Sequence, residues 1–294
     1  MREIRFVACV IAAFTAACTR SQPTVSTSPE PAVTPATTPG VILPGQRSWS
    51  FPSLDPAPRR YISEEKTTIE LRSDTSPRRD SFSVSTSFTV QASSSPSRPR
   101  VTGTIESVSF QPERPREESD SLTAFPLSFA GRLTSGGLVL DSVAGQPLTA
   151  FTNCTLGALN RISTVQRTLM TLPATLTVGQ SWTDSSTVPA CSGTIPVQLT
   201  AVRTYTVAGE SRTSRGAVIA IERTDRIRAS GEGAQGQHRI TLRAEGSGAG
   251  RMYLDPETGT LLETDGKQRT ELAVGASGRI ERFVQSVEER TRLN

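Results

Sequence analysis

A single histidine, His238, is where any catalytic reading of this 294-residue chain must begin. An imidazole can serve as a general base at neutral pH. A serine triad also needs a strained Ser and a buried Asp beside it, and no Ser here has the G-x-S-x-G flanks of a nucleophile elbow. A surface histidine at a strand edge is the simpler reading. One histidine also leaves a metal site short of its three or four ligands. Paired carboxylates at Glu64-Glu65, Glu117-Glu118 and Glu288-Glu289 would suit glycosidase chemistry. Neighbours on a strand point to opposite faces, however, so each pair reads as solvated charge and not as one site.

Gly231-Glu232-Gly233-Ala234-Gln235-Gly236 spells G-x-G-x-x-G. A dinucleotide site needs that loop to leave a strand and open a helix. Here both flanks alternate like strands, which predicts a hairpin loop. Gly246-Ser247-Gly248-Ala249-Gly250 reads likewise as a link or kink. No catalytic residue, cofactor or metal is implied.

Three residues remain as candidates for facing a ligand: Trp182, Arg203 and Tyr205. In the stretch Ile195 to Val207 the apolar phase runs Ile195, Val197, Leu199, Ala201, Tyr205 and Val207, and Arg203 falls into it. An inward arginine is costly unless it is paired or faces a polar cavity; a bulge turning it outward is the alternative.

The elements that would carry these residues are strands. Phe82, Val84, Phe88 and Val90 alternate with Ser and Thr, which is the pattern of one buried and one wet face. Tyr61 to Leu71 precedes this strand. In Val101 to Phe110 the phase flips, and a bulge near Glu106 is expected. Phe125 to Leu133 and Leu138 to Val143 form a hairpin around Ser135-Gly136-Gly137. Later strands are Ala217 to Ala229, Gln237 to Ala244, Gly250 to Leu254 and Gly259 to Val274, with a Pro/Gly turn at Asp255 to Gly259. Arg279 to Arg290 fits strand or helix, and context favours strand. The one helical pattern is Leu156, Leu159, Ile162, Val165 and Leu169, ended by Pro173. The expected fold is therefore mainly β: a large antiparallel curved sheet or half-barrel with one central helix over about 155–171. A two-sheet β-sandwich is the alternative.

The chain opens with two arginines and nine apolar residues from Phe6 to Phe14, followed by Thr15-Ala16-Ala17-Cys18. Nine residues are too few to span a bilayer, which takes roughly 20. Residues 1–17 read as a signal peptide, and the tetrad resembles a bacterial lipobox with Cys18 as the lipid carrier. Thr15 stands where Leu is commonest, so simple secretion is the rival. Residues 18–45 are Thr/Ser/Pro-rich and form a tether, leaving 46–294 as a single β-rich domain. Cys9 leaves with the signal. Cys154 and Cys191 then pair most simply as a disulfide in an oxidising compartment, worth roughly 4 kcal/mol in the chain-entropy model.

Leu172-Pro173-Ala174-Thr175-Leu176-Thr177-Val178-Gly179-Gln180-Ser181-Trp182-Thr183 resembles a central segment of bacterial lipoproteins of the DUF6263 family, whose function is unknown. That resemblance brings no catalytic residues.

Net charge is +4 and rests on arginine, since Lys66 and Lys267 are the only lysines. The arginines alternate with Asp and Glu along strands, which describes a solvated face and not a nucleic-acid surface. A tethered β-rich body without a catalytic constellation points to an envelope protein that binds a hydrophobic ligand or a protein partner. A structural or assembly component is the second expectation and a hydrolase using His238 the third. Bacterial β-sheet lipoproteins of similar layout include carriers of lipids and lipoproteins; an apolar concavity is their common feature, and finding no groove, or a groove lined with charge, would sink the lipid-carrier version. Thr19 is not Asp, which by resemblance to proteobacterial sorting points to the outer membrane.

Overall fold

The computed structural model describes residues 47–51, 57–72, 78–93, 100–112, 125–134, 137–147, 162, 164–166, 168–170, 172–192, 195–235 and 238–294. The signal peptide, Cys18, the tether, Glu117-Glu118, Leu156, Leu159 and Cys154 lie outside these residues. Of Cys191 only the backbone is described.

Fourteen strands are described. The first half of the chain holds β1 (Ser48–Ser50), β2 (Arg59–Leu71), β3 (Arg78–Ala92), β4 (Arg100–Gln111), β5 (Leu127–Thr134), β6 (Gly137–Val143) and β7 (Gln146–Pro147). The second holds β8 (Thr175–Thr177), β9 (Ser181–Ser192), β10 (Ile195–Thr213), β11 (Gly216–Gln235), β12 (His238–Leu254), β13 (Leu261–Ala276) and β14 (Arg279–Leu293). Twelve of them make one open antiparallel sheet in the order β7-β6-β5-β4-β3-β2-β14-β13-β12-β11-β10-β9, and β1 pairs with β8 apart from it. Each half of the chain is a meander, and the two are joined where β14 pairs with β2, from Phe283↔Leu71 to Leu293↔Tyr61.

The sheet is the curved half-barrel that the alternation predicts. Its inner face carries two apolar clusters. One gathers Tyr61, Phe88, Ile105, Leu127, Val207, Ile221 and Met252, and is covered by Trp49 of β1, Leu176 of β8, and Ile162 and Val165 of the helical turn. The other, at the opposite end of the long strands, holds Val197, Leu242, Leu272, Val274 and Phe283, with none of the described residues of those covering elements. The helix is present where described: Ile162 and Val165 are fully buried, and the Leu169 amide donates to Val165 O at 3.1 Å. The Arg279 to Arg290 stretch is strand, because Phe283, Gln285 and Val287 all point inward from β14.

The outer face is a lattice of opposite charges. Arg251 meets Glu222, Arg290 meets Glu263, Arg292 meets Glu64 and Lys267 meets Glu288. Each exposed pair adds at most about 1 kcal/mol, so their service is solubility more than stability.

The phase flip in β4 is a bulge at Glu106. Ser87 pairs with Ser107 and Phe88 with Ile105, which leaves Glu106 as the extra residue. Its carboxylate accepts hydrogen bonds from Thr89 Oγ1 (2.6 Å), Arg60 Nε (2.7 Å) and Ser87 Oγ (3.0 Å). The Thr89 and Arg60 bonds hold its pKa below the ordinary carboxylate value. These bonds are partly exposed, so Glu106→Ala is expected to cost about 1 kcal/mol in urea denaturation; Glu106→Gln should retain part of that.

Two glycine runs turn out differently from expectation. Gly231 to Gln235 belongs to β11, paired throughout with β12 and at Gly231 with β10, so it is ladder and not hairpin loop. The Gly246-to-Gly250 run is an unbroken part of β12, which joins two predicted strands into one. The Asp255 turn forms as expected: Asp255 Oδ1 accepts from the amides of Glu257 and Thr258, and Gly259 takes a φ of 68°.

Candidate functional site

Between the two apolar clusters, the inner face carries a belt of charge. Cross-strand register defines it. One row runs Asp184, Arg203, Asp225, Gly248, Gln268, Val287 and Thr67 across β9, β10, β11, β12, β13, β14 and β2. The adjoining row runs Trp182, Tyr205, Arg223, Gly250, Gly266, Glu289 and Glu65 across the same strands. Because directly opposed residues share a face, two periodic rows of side chains meet here.

The strongest feature is Arg223, only 7% exposed. Its Nε donates to Asp225 Oδ2 at 3.0 Å and its Nη2 to Glu289 Oε1 at 2.7 Å. Glu289 lies three strands away, roughly 14 Å at the usual strand spacing. The guanidinium crosses that gap because β12 and β13 present glycine beneath it. A methyl carbon at position 266 would lie 2.9 Å from Arg223 Nη2 and 3.3 Å from Glu289 Oε1, and one at position 250 would meet Asp265 O at 2.2 Å. Burial opposes the charge on Arg223, but the facing Glu289 and Asp225 carboxylates outweigh it and raise its pKa.

Arg203 faces inward, in phase with Tyr205 and Ala201, and the bulge that might have turned it outward lies further on, between Val207 and Gly209. Its Nη1 stands 3.7 Å from Asp184 Oδ1, an ion pair without a hydrogen bond. Asp184 Oδ2 accepts from Tyr205 Oη at 3.0 Å. The Tyr205 ring stacks on Trp182 at 5.1 Å and 18° between planes. The three residues singled out in the sequence are therefore brought together at one corner of the belt. Trp182 is held there by the segment before it: Leu176 is fully buried, and Gly179, at φ 82°, turns the chain from β8 into β9 while its amide donates to Val207 O.

Burial raises the pKa of Asp184 despite Arg203 and the Tyr205 hydroxyl. A carboxyl whose folded pKa exceeds its unfolded one stabilises fully below the unfolded value and loses that contribution as pH rises through the folded one. Asp184→Asn is therefore expected to flatten the fall in stability as pH rises above the ordinary aspartate range, read as urea midpoints across a pH series.

The paired glutamates are split by the pleat, as expected, but they are not uniformly solvated. Glu64 and Glu288 point outward to Arg292 and Lys267, whereas Glu65 is 7% exposed and Glu289 holds Arg223. Sequence reasoning missed Asp184, Arg223 and Asp225, and read Glu65 and Glu289 as solvated charge. A signal for Arg223 and Asp225 existed: both fall in the apolar phase of Ile219, Ile221 and Ile227, opposite a glycine run. His238 lies apart from the belt, at the end of β12, with Nδ1 2.6 Å from Ser277 Oγ. The shallow depression of about 480 Å³ beside it is lined by Arg239, Thr241 and Ile280 among others and by no carboxylate. Two members of a triad are thus near each other without a third.

No described helix is long and apolar enough to cross a membrane, and no metal-ligating cluster occurs among the described residues. No family model matches this chain, and no curated protein matches it.

Proposed function

We propose that this chain is a non-catalytic, lipid-tethered binding protein of the bacterial envelope that holds a ligand on the inner face of its curved sheet. The observation that carries this reading is the belt itself. Its floor glycines, Gly246, Gly248 and Gly250, are only partly buried, although Asp184, Arg223 and Asp225 around them are each more than 90% buried. A polar, charged stripe therefore crosses the inner face between two apolar clusters, with the Trp182–Tyr205 pair beside it. Buried charge stripped of water by a wholly apolar cargo would be costly, so the ligand combines a polar group for the belt with an apolar body for the flanking clusters. Cys18 supplies the membrane anchor in this reading, residues 18–45 the spacer, and a Cys154–Cys191 disulfide the brace.

Native mass spectrometry of the protein extracted from its own membrane tests it. Acylation at a chain beginning with Cys18, together with a non-covalent adduct that is lost in Trp182→Ala, is the expected result. An unacylated chain that carries no adduct in either form would overturn it.

A further inference from the structure

We propose that two copies of this chain pair edge to edge through β9, antiparallel and centred on Ser185, so that their curved sheets run on as one. Such pairing is independent of the ligand-binding reading above. A sheet edge is a row of unpaired amides and carbonyls, and native proteins guard it with short strands, charge, proline or bulges. One edge of this sheet is guarded in that way: β7 is two residues long and ends in Pro147. The other edge is not. β9 is twelve residues long, pairs with β10 without a bulge, and among the described residues has no other neighbour in the sheet. Its one charged side chain, Asp184, is buried on the inner face.

The hydrogen-bond phase shows what that edge offers. The Val207 amide donates to Gln180 O, and the register continues from there as Thr206↔Ser181 and Tyr205↔Trp182. Bonded and non-bonded pairs alternate along an antiparallel ladder, so the even-numbered residues of β9 bond β10. The amides of Ser181, Thr183, Ser185 and Thr187 therefore face away from the sheet, and all four residues are exposed. Pro189, without an amide hydrogen, closes the stretch. Outward side chains here are neutral on both strands: the hydroxyls of Ser181 and Thr206 meet at 2.8 Å, those of Thr183 and Thr204 at 3.2 Å and those of Thr187 and Thr200 at 3.2 Å, with Ser185 opposite Val202. Two such edges meet without like charges.

This edge is also its own complement. With Ser185 opposite Ser185 across a twofold axis, Thr183 of each copy stands opposite Thr187 of the other, which repeats the Thr/Thr rung already made with β10. On the inner face the same register sets Asp184 opposite Ser186. A register centred on Asp184 would instead oppose two carboxylates, which like charge disfavours. Thr183, Ser185 and Thr187 exchange about six ladder hydrogen bonds across the seam. The seam runs beside Trp182 and Asp184, so the charged belts of the two copies adjoin.

Sedimentation velocity of the full chain from about 1 to 100 µM, the range in which a small interface dissociates, tests the pairing. A reversible shift from monomer to dimer is the expected result. Ser185→Lys and Ser185→Asp each oppose two like charges at the axis, so each alone should dimerise at least about tenfold more weakly. An equimolar mixture of the two should recover the dimer. Position 185 is exposed, so both variants should keep the urea midpoint of the unaltered chain. Ser128→Lys, exposed on β5 at the other end of the sheet, is the control and should dimerise normally. A chain that stays monomeric throughout, a dimer indifferent to Ser185→Lys, or a mixture without recovery would overturn the pairing. The ligand-binding reading stands or falls separately, on its own adduct.

Discussion

Arg223→Leu is expected to destabilise the fold by about 3–5 kcal/mol, the cost of removing one partner from a buried ion cluster. The variant leaves Asp225 and Glu289 facing each other over a glycine floor with no cation, and the glycines cannot move in to fill the space. For a chain of this size that corresponds to a fall of roughly 10 °C in Tm. Its pH dependence has a definite sign. Without the guanidinium two like charges are stranded in a buried site, and proton uptake in acid relieves that cost, so the deficit is largest near neutral pH and shrinks as pH falls. Urea denaturation at several pH values measures this. A deficit independent of pH would mean that lost packing, not stranded charge, is the cause. Replacing the whole cluster, Arg223→Leu with Asp225→Val and Glu289→Leu, should recover most of the stability, because apolar groups of similar volume are at least as stable as a buried ion triad.

Phe88→Ala is the other large effect, at about 3–5 kcal/mol for emptying a fully buried aromatic site. Phe88 has no exposed surface and stacks on Tyr61 with ring centroids 5.5 Å apart. It also pairs with Ile105 immediately beyond the Glu106 bulge, so backbone on both strands is already committed and the site cannot easily collapse. Phe88→Leu, which keeps most of the volume, should cost less than half as much. A second readout separates the cavity from general loosening. Burial pushes the Tyr61 hydroxyl up to about 12, against an opposing field from Arg59. Water entering the space left by Phe88 would bring that ionisation back toward the ordinary phenol value, visible in an ultraviolet titration of the folded protein.

Much of this architecture was legible because period-two alternation acts locally. Phe82 to Val90 names its own face, and the switch of phase in Val101 to Phe110 places a bulge near Glu106, which the register then fixes at that residue. Arg203 was legible as an anomaly for the same reason, standing in the apolar phase of its strand. Its partner was not: Asp184 is on another strand, and only register brings them opposite. Arg223 reaches Glu289 across β12 and β13, so no window of sequence contains both. The glycines misled for a physical reason. Three in alternate positions read as a broken strand, since glycine has no side chain to pack and weakens a strand, yet in β12 that absence makes room for a neighbour's long side chain. A partner supplied by another strand overrode a local propensity.

The pairing of β14 with β2 has a consequence for how the sheet is assembled. Without it, the twelve-stranded sheet is two separate ribbons, one ending at β7 and the other beginning at β9. Residues as far apart as Tyr61 and Leu293 form the seam, and the seam lies at the middle of the sheet, not at its rim. Folding must therefore wait for the last residues of the chain before the first meander finds its neighbour, and loop closure over such a distance is slow. A chain passed through a membrane N-terminus first would keep its halves apart until its final strand emerges. Glu289, which anchors Arg223, sits on that final strand, so the charged belt would be the last part of the molecule to come into being.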